Sequence, residues 1–192
     1  DIEWARNREV LGQKVFNDRR PEMYMNLPTD PYLWNPMDFF GLYGLNPLPE
    51  GKKSKITVTQ INSTNEIEDN LNKIIDLSVN AKKEGSELIV FPELALTGHL
   101  NGSKNAQSIE SSAIKKLIDF SNMNNLYICF GFAENKGKEF FNSSMLIGPE
   151  GILGVYRKIH LNDNDRKWAI EGNDWKYFDT KIGRIGMLIG YD

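Results

Sequence analysis

From residue 56 onward, apolar positions along the chain follow two periods, one of strands and one of helices. Ile56-Thr57-Val58-Thr59-Gln60-Ile61 is a β-rich run. Residues 63–66 read as a capping box, with Ser63 at the cap and Glu66 three positions on. Ile67, Leu71, Ile74, Ile75 and the run from Leu77 to Ala81 then keep an apolar face at helical spacing, and Gly85 closes the helix. Leu88-Ile89-Val90-Phe91 predicts a buried strand stopped by Pro92. A second helix is predicted over about 109–122, presenting Ile109, Ala113, Leu117 and Phe120 on one side. Residues 126–132 form the next apolar strand. Residues 144–147 and 152–156 pair around Pro149-Glu150-Gly151, a turn sequence. Residues 176–179 and 182–189 are the last predicted strands. Strands alternating with helices predict a layered α/β domain.

The first part of the chain has a different texture. Between residues 28 and 54, prolines stand at 28, 31, 36, 47 and 49 and glycines at 41, 44 and 51. This predicts a long connection with little regular structure. Tyr32, Trp34, Phe39, Phe40, Leu42 and Tyr43 make it too apolar for a free linker, so it is expected to lie against something.

Composition narrows the classes. With 192 residues, 40% of them hydrophobic and 26% charged, the chain can bury one good core. A net charge of −3 gives no electrostatic footprint for nucleic acid. The longest apolar runs are strand-sized, so no membrane span is expected. A single cysteine, Cys129, excludes an internal disulfide framework and a cysteine-based metal site. A reducing cytoplasm is the expected compartment. The chain begins Asp-Ile-Glu-Trp and stops at Asp192 just past an apolar run, so the full protein is expected to extend beyond both ends.

Three stations carry candidate chemistry. Val90-Phe91-Pro92-Glu93 sets a carboxylate just past a buried strand, where ligand crevices form in α/β sheets. On its own, Glu93 reads more readily as a surface-loop acid, since short motifs often misfire. Tyr156-Arg157-Lys158-Ile159-His160-Leu161 is a basic cluster after an alternating strand, alone no more than a solvated strand end. Residues 183–192, GRIGMLIGYD, deliver Gly190 to a strand's carboxyl end, followed by an aromatic and an acid.

Taken together, these stations resemble the nitrilase superfamily of carbon–nitrogen hydrolases. The matching stretches are 87–98 (ELIVFPELALTG), 130–134 (FGFAE) with Phe141-Asn142-Ser143, 151–161 (GILGVYRKIHL) and 178–192 (FDTKIGRIGMLIGYD). The resemblance covers residues 55–192 and implies an α-β-β-α sandwich, here incomplete at its C-terminal side. It implies hydrolysis of a small amide, carbamoyl compound or nitrile, with no metal and no organic cofactor. Glu93 would be the proton carrier, Lys158 the oxyanion partner, and residue 190 the nucleophile. Glu134 resembles a family acid supporting the Lys and Glu, and is equally readable as a strand-end surface acid. Asp165 is the better match to a second family acid after the Lys, with Glu171 the alternative. One departure matters: the family has cysteine where this chain has Gly190. A pseudoenzyme kept for assembly or regulation, an altered codon, and substrate binding without turnover all remain open. Cys129, mid-strand between Ile128 and Phe130, reads as a packing residue and no substitute.

Residues 1–27 resemble the C-terminal tail of a preceding domain of the same kind, through Asp18-Arg19-Arg20-Pro21 and Tyr24. The resemblance thus implies a tandem, with 28–54 as the connection and 55–192 as the N-terminal part of the second domain. A homo-oligomer, or pairing with a second nitrilase-like domain, is the expected assembly. The C-terminal portion lacking here is expected to leave an apolar sheet face uncovered.

Overall fold

The structure, a computed structural model, describes residues 53–99 and 102–192. The reading of 1–27 as a tail and nearly all of the 28–54 connection lie outside the described residues.

Strands β1 (Ile56–Val58), β2 (Leu88–Val90), β3 (Tyr127–Lys136), β4 (Glu139–Gly148) and β5 (Gly151–Arg157) form one sheet in that order. Helix α1 (Ile67–Lys83) connects β1 to β2, and α2 (Ser112–Asn124) lies between β2 and β3. These long crossovers make β1, β2 and β3 parallel, whereas short turns make β3, β4 and β5 antiparallel. The β4–β5 register shifts by a bulge between Leu146 and Ile147.

Both faces of the sheet are covered, which explains its near-continuous apolar runs. On one face Leu71 and Ile74 of α1 and Ile114 and Leu117 of α2 pack on Ile89, Ile128, Phe130, Phe132, Met145 and Ile147. On the other, Leu88, Tyr127, Leu146 and Tyr156 meet Met187 and Ile189, with Phe178, Ile182 and Ile185 alongside. Phe178 and Ile185 belong to a separate two-stranded sheet, β6 (Tyr177–Thr180) with β7 (Gly183–Gly186). The Phe178 ring lies on the backbone of Gly154, where any Cβ would overlap it. Helices, central sheet and hairpin layer are an α/β architecture of the α-β-β-α sandwich type. At the β1 edge, Ile56 and Val58 on the hairpin side are exposed.

Several expectations shift. The capping box does not form: Glu66 is the N-cap of α1 without a side-chain bond, and Ser63 Oγ instead donates to Ala95 O. The fully buried Asn70 does the anchoring, accepting from Thr64 N and donating to Thr64 O and Leu96 O. Helix α2 starts after Ser111, whose hydroxyl accepts from Ile114 N, so Ile109 is outside it and exposed. The predicted strand 182–189 is a strand only at Gly183–Gly186; residues 187–189 run on without a ladder.

Candidate functional site

Glu93 follows β2 in a loop fastened to β3. Phe91 N donates to Cys129 O at 2.8 Å, Gly131 N to Pro92 O at 3.3 Å and Leu96 N to Gly131 O at 3.0 Å. Gly131 permits this approach, because a Cβ there would collide with Pro92 O, Leu94 N and the Glu93 carbonyl carbon. Leu94 takes φ 52°, a left-handed conformation that non-glycine residues adopt at a cost and that recurs beside functional groups.

Lys158 is the first residue beyond β5. Its amide donates to Asn142 O at 2.8 Å, and its carbonyl accepts from Gly172 N at 2.8 Å. Successive side chains on a strand point to opposite faces. Arg157 and Lys158 accordingly serve different carboxylates. Arg157 reaches Glu134 through two bonds, Nε to Oε2 at 2.8 Å and Nη2 to Oε1 at 2.6 Å, and Ser143 Oγ donates to Glu134 Oε2 at 2.7 Å. Burial pushes the Glu134 carboxyl up, but the Arg157 fork and the Ser143 hydroxyl outweigh it and hold it below the usual carboxylate range.

Lys158, 1% exposed, donates from Nζ to Glu93 Oε1 at 2.7 Å and to Asp165 Oδ2 at 2.6 Å. Burial alone would depress this ammonium; hydrogen bonds from Asp165 and Glu93, and their charges, more than offset it and raise its pKa. The two carboxylates are bridged a second time. Asn142 Nδ2 donates to Glu93 Oε1 at 2.7 Å and to Asp165 Oδ1 at 3.1 Å. Asp165 opens a 3-10 turn (Asp165–Lys167), its amide held by Asn162 Oδ1 at 2.9 Å.

Gly190 completes the cluster. Its φ is +50°, and a Cβ there would stand 3.0 Å from Glu93 Oε2 and 3.4 Å from Lys158 Nζ. Side-chain atoms at residue 190 would therefore face the carboxylate oxygen that Lys158 and Asn142 leave free.

Of the sequence-derived residues, Glu93, Lys158, Asp165 and Gly190 come together. Glu134 touches the cluster only through Arg157 and Ser143, chain neighbours of Lys158 and Asn142; it is buried in β3, which excludes its reading as a surface acid. Glu171 is exposed and pairs with Arg166 at 2.9 Å, away from Lys158. Cys129 packs in the second core with Sγ 3.4 Å from Ser144 Oγ, and burial pushes its thiol up against the weaker opposing effect of Ser144. Asn142 had no role assigned from sequence. Its signal was an amide between Phe141 and the small polar pair Ser143-Ser144 in an otherwise apolar strand.

Glu93 and Asp165 also border a cavity of about 530 Å³. Leu94 and Trp168 supply apolar wall, and His99, Lys104 and Lys167 stand among its lining. A Cβ at Gly102 would meet the Trp168 ring at 2.9 Å, so the segment carrying Lys104 is seated on that ring.

Glu93 and Lys158 thus meet beyond β2 and β5, with the backbone of Gly190 against both. The carbon-nitrogen hydrolase family model matches residues 55–192, and the chain belongs to that family. It is 33% identical over 147 residues to a nitrilase of Pyrococcus abyssi, covering 72% of this chain and 56% of that protein. It is 34% identical over 110 residues to an (R)-stereoselective amidase of Pseudomonas sp., covering 56% and 40% respectively. The crystal structure of an amidase from Nesterenkonia sp. superposes with a TM-score of 0.66 at 18% identity, covering 76% of this chain and 58% of that one, which speaks to the fold. The chain thus spans about half the length of the curated relatives it matches.

Proposed function

We propose that this site is built to hydrolyse a non-peptide carbon–nitrogen bond of a small amide, carbamoyl compound or nitrile. The supporting observation is the buried Lys158 ammonium shared by Glu93 and Asp165, beside the direction in which a side chain at 190 would project. Amides are poor electrophiles, and a nucleophile at 190 would split the reaction into acyl transfer and hydrolysis. Glu93 Oε2 is placed to take that nucleophile's proton and return one to the leaving nitrogen. Lys158 holds a fixed positive charge for the developing oxyanion. Asp165 and Asn142 fix the orientation of both.

Glycine at 190 supplies no nucleophile, so the chain as it stands carries out no covalent turnover at this position. This favours a second reading, a catalytically silent module that serves assembly or regulation. The two are separated by Gly190→Cys in the full chain. The left-handed φ will cost roughly 1–2 kcal/mol of stability. If the remaining apparatus is intact, the variant releases ammonia from a small amide, and adding Glu93→Gln abolishes the release. A folded, alkylatable thiol at 190 that liberates no ammonia from amides, carbamoyl compounds or nitriles would leave only the silent module.

The same reading extends to residues 1–27 as the tail of a preceding domain and to a cytoplasmic assembly of paired domains. Among the described residues no helix is long and apolar enough to cross a membrane. Rapid proteolytic loss of residues 1–54 from the intact protein, with its assembly size unchanged, would count against the docking of this segment.

A further inference from the structure

Asp192 lies two residues past Gly190, and its carboxylate is fully inaccessible to solvent. Its two oxygens together gather donors from two segments. Oδ1 accepts from Ile159 N at 3.1 Å and His160 N at 2.8 Å, and lies 3.2 Å from His160 Nδ1. Oδ2 accepts from Tyr156 Oη at 2.8 Å and Ile189 N at 3.1 Å. The Asp192 amide in turn donates to Ile189 O at 3.1 Å, closing a small loop around Gly190.

The arrangement has a geometric consequence. The donors on one side, Tyr156, Ile159 and His160, flank Lys158 before and after it in the chain. The donor on the other side, Ile189, immediately precedes Gly190. One buried carboxylate therefore spans the two segments whose separation sets the distance between the Lys158 ammonium and position 190. The contacts of Glu93, Asp165 and Asn142 do not set that distance, because none of them bonds to residues 187–192.

We propose that Asp192 is a positioning residue, a clasp that holds residue 190 at a fixed distance and angle from Lys158. The proposal rests on the hydrolase reading above and adds to it the part that aligns the nucleophile's backbone. Burial pushes the Asp192 carboxyl up, yet the His160 amide, the Tyr156 hydroxyl and the Ile189 amide outweigh it, so the group stays ionised at neutral pH as the clasp requires. Misalignment of reacting groups by about 1 Å can reduce turnover on the order of a hundredfold.

The test has two parts, both on the full chain. In the natural sequence, amide hydrogen exchange is followed at Ile159, His160 and Ile189. Asp192→Ala should accelerate exchange at all three by about tenfold or more while amides in the β3–β4 ladder keep their protection. In the Gly190→Cys background, Asp192→Asn should lower kcat for ammonia release by about ten- to a hundredfold, with KM within about twofold, when rates are normalised to the thiol titrated by iodoacetamide. Tyr156→Phe, which removes one donor and keeps the carboxylate, should produce a smaller loss in the same direction and serves if Asp192→Ala does not fold. Unchanged exchange at the three amides overturns the clasp. Faster exchange with unchanged kcat per titrated thiol reduces Asp192 to a structural residue. A Gly190→Cys parent that releases no ammonia while the three amides remain protected overturns the hydrolase reading, and the positioning role with it.

Discussion

Replacing Lys158 with methionine tests the charge arrangement at its centre. The substitution keeps the length of the stem and removes the ammonium that two carboxylates share at 2.7 Å and 2.6 Å. Asn142 Nδ2 would then be the last donor holding Glu93 and Asp165 together. Breaking a buried ion pair by removing one partner costs about 3–5 kcal/mol, because the remaining charge stays buried and unpaired. For a chain of this size that is a fall in Tm of about 6–20 °C. With the cation gone, the two acids repel in the folded state. Urea denaturation of both proteins at pH 7 reads the loss directly. Adding Asp165→Asn to Lys158→Met should recover at least half of it. A loss under about 1 kcal/mol would mean that the ammonium does not hold the two acids in the fold.

Further outcomes follow from other parts of the structure. The protein should lose stability in acid. The folded-state pKa values of Glu134 and Asp192 lie below their unfolded ones, so their contribution is full above the ordinary carboxylate range and is lost as pH drops through the depressed values; denaturation midpoints at pH 7, 5 and 3 should decline, most steeply at the last step. Gly131→Ala should cost about 1–3 kcal/mol by overpacking, and in the Gly190→Cys background it should lower ammonia release beyond its effect on Tm by displacing the Glu93 loop; equal activity per folded molecule would refute that link. The cavity lined by His99, Lys104 and Lys167 should favour amides that carry a carboxylate, so calorimetry on the natural chain should find succinamate tighter than butyramide, with the advantage shrinking as salt rises, and Lys104→Gln with Lys167→Gln should erase it.

The parts of the fold that depend on local pattern were legible before any coordinates. Strands β2 and β3 carry apolar runs that only a doubly covered sheet explains, and α1 shows its buried face at Leu71 and Ile74. Glu93, Lys158 and Asp165 were singled out by the joint spacing that resembles the family, because each alone reads as an ordinary strand-end or loop residue. What was not legible depends on contacts distant in sequence. Ser63, Thr64 and Asn70 all have capping chemistry within eight positions, and only the approach of Leu96 O selects Asn70. Helix α2 and Ile109 differ by the hydroxyl of Ser111, a cap that periodicity does not detect. Residues 182–189 read as one strand because their apolar alternation continues, yet the hairpin partner Tyr177–Thr180 is only four residues long, so the ladder stops at Gly186. Asn142 was hidden because its function is a bridge between two acids that are 49 and 23 residues away.

The bulge between Leu146 and Ile147 has a consequence for how this protein tolerates length changes. Arg157 and Lys158 are adjacent cations aimed at opposite sides of β5, and the bulge determines which of them faces which acid. Deleting a single residue from the Pro149-Glu150 turn, or straightening the bulge, would slide β5 by one place. Lys158 would then stand opposite Ser143, in the place of Arg157 and toward Glu134, while Ile159 would take the place of Lys158 beside Glu93 and Asp165. Composition, net charge and hydrophobic content would barely change, yet Glu134 would receive the wrong cation and an apolar side chain would stand where Glu93 and Asp165 share theirs. The irregular hydrogen-bond spacing of one strand pair thus works as a reading frame for the site's charges.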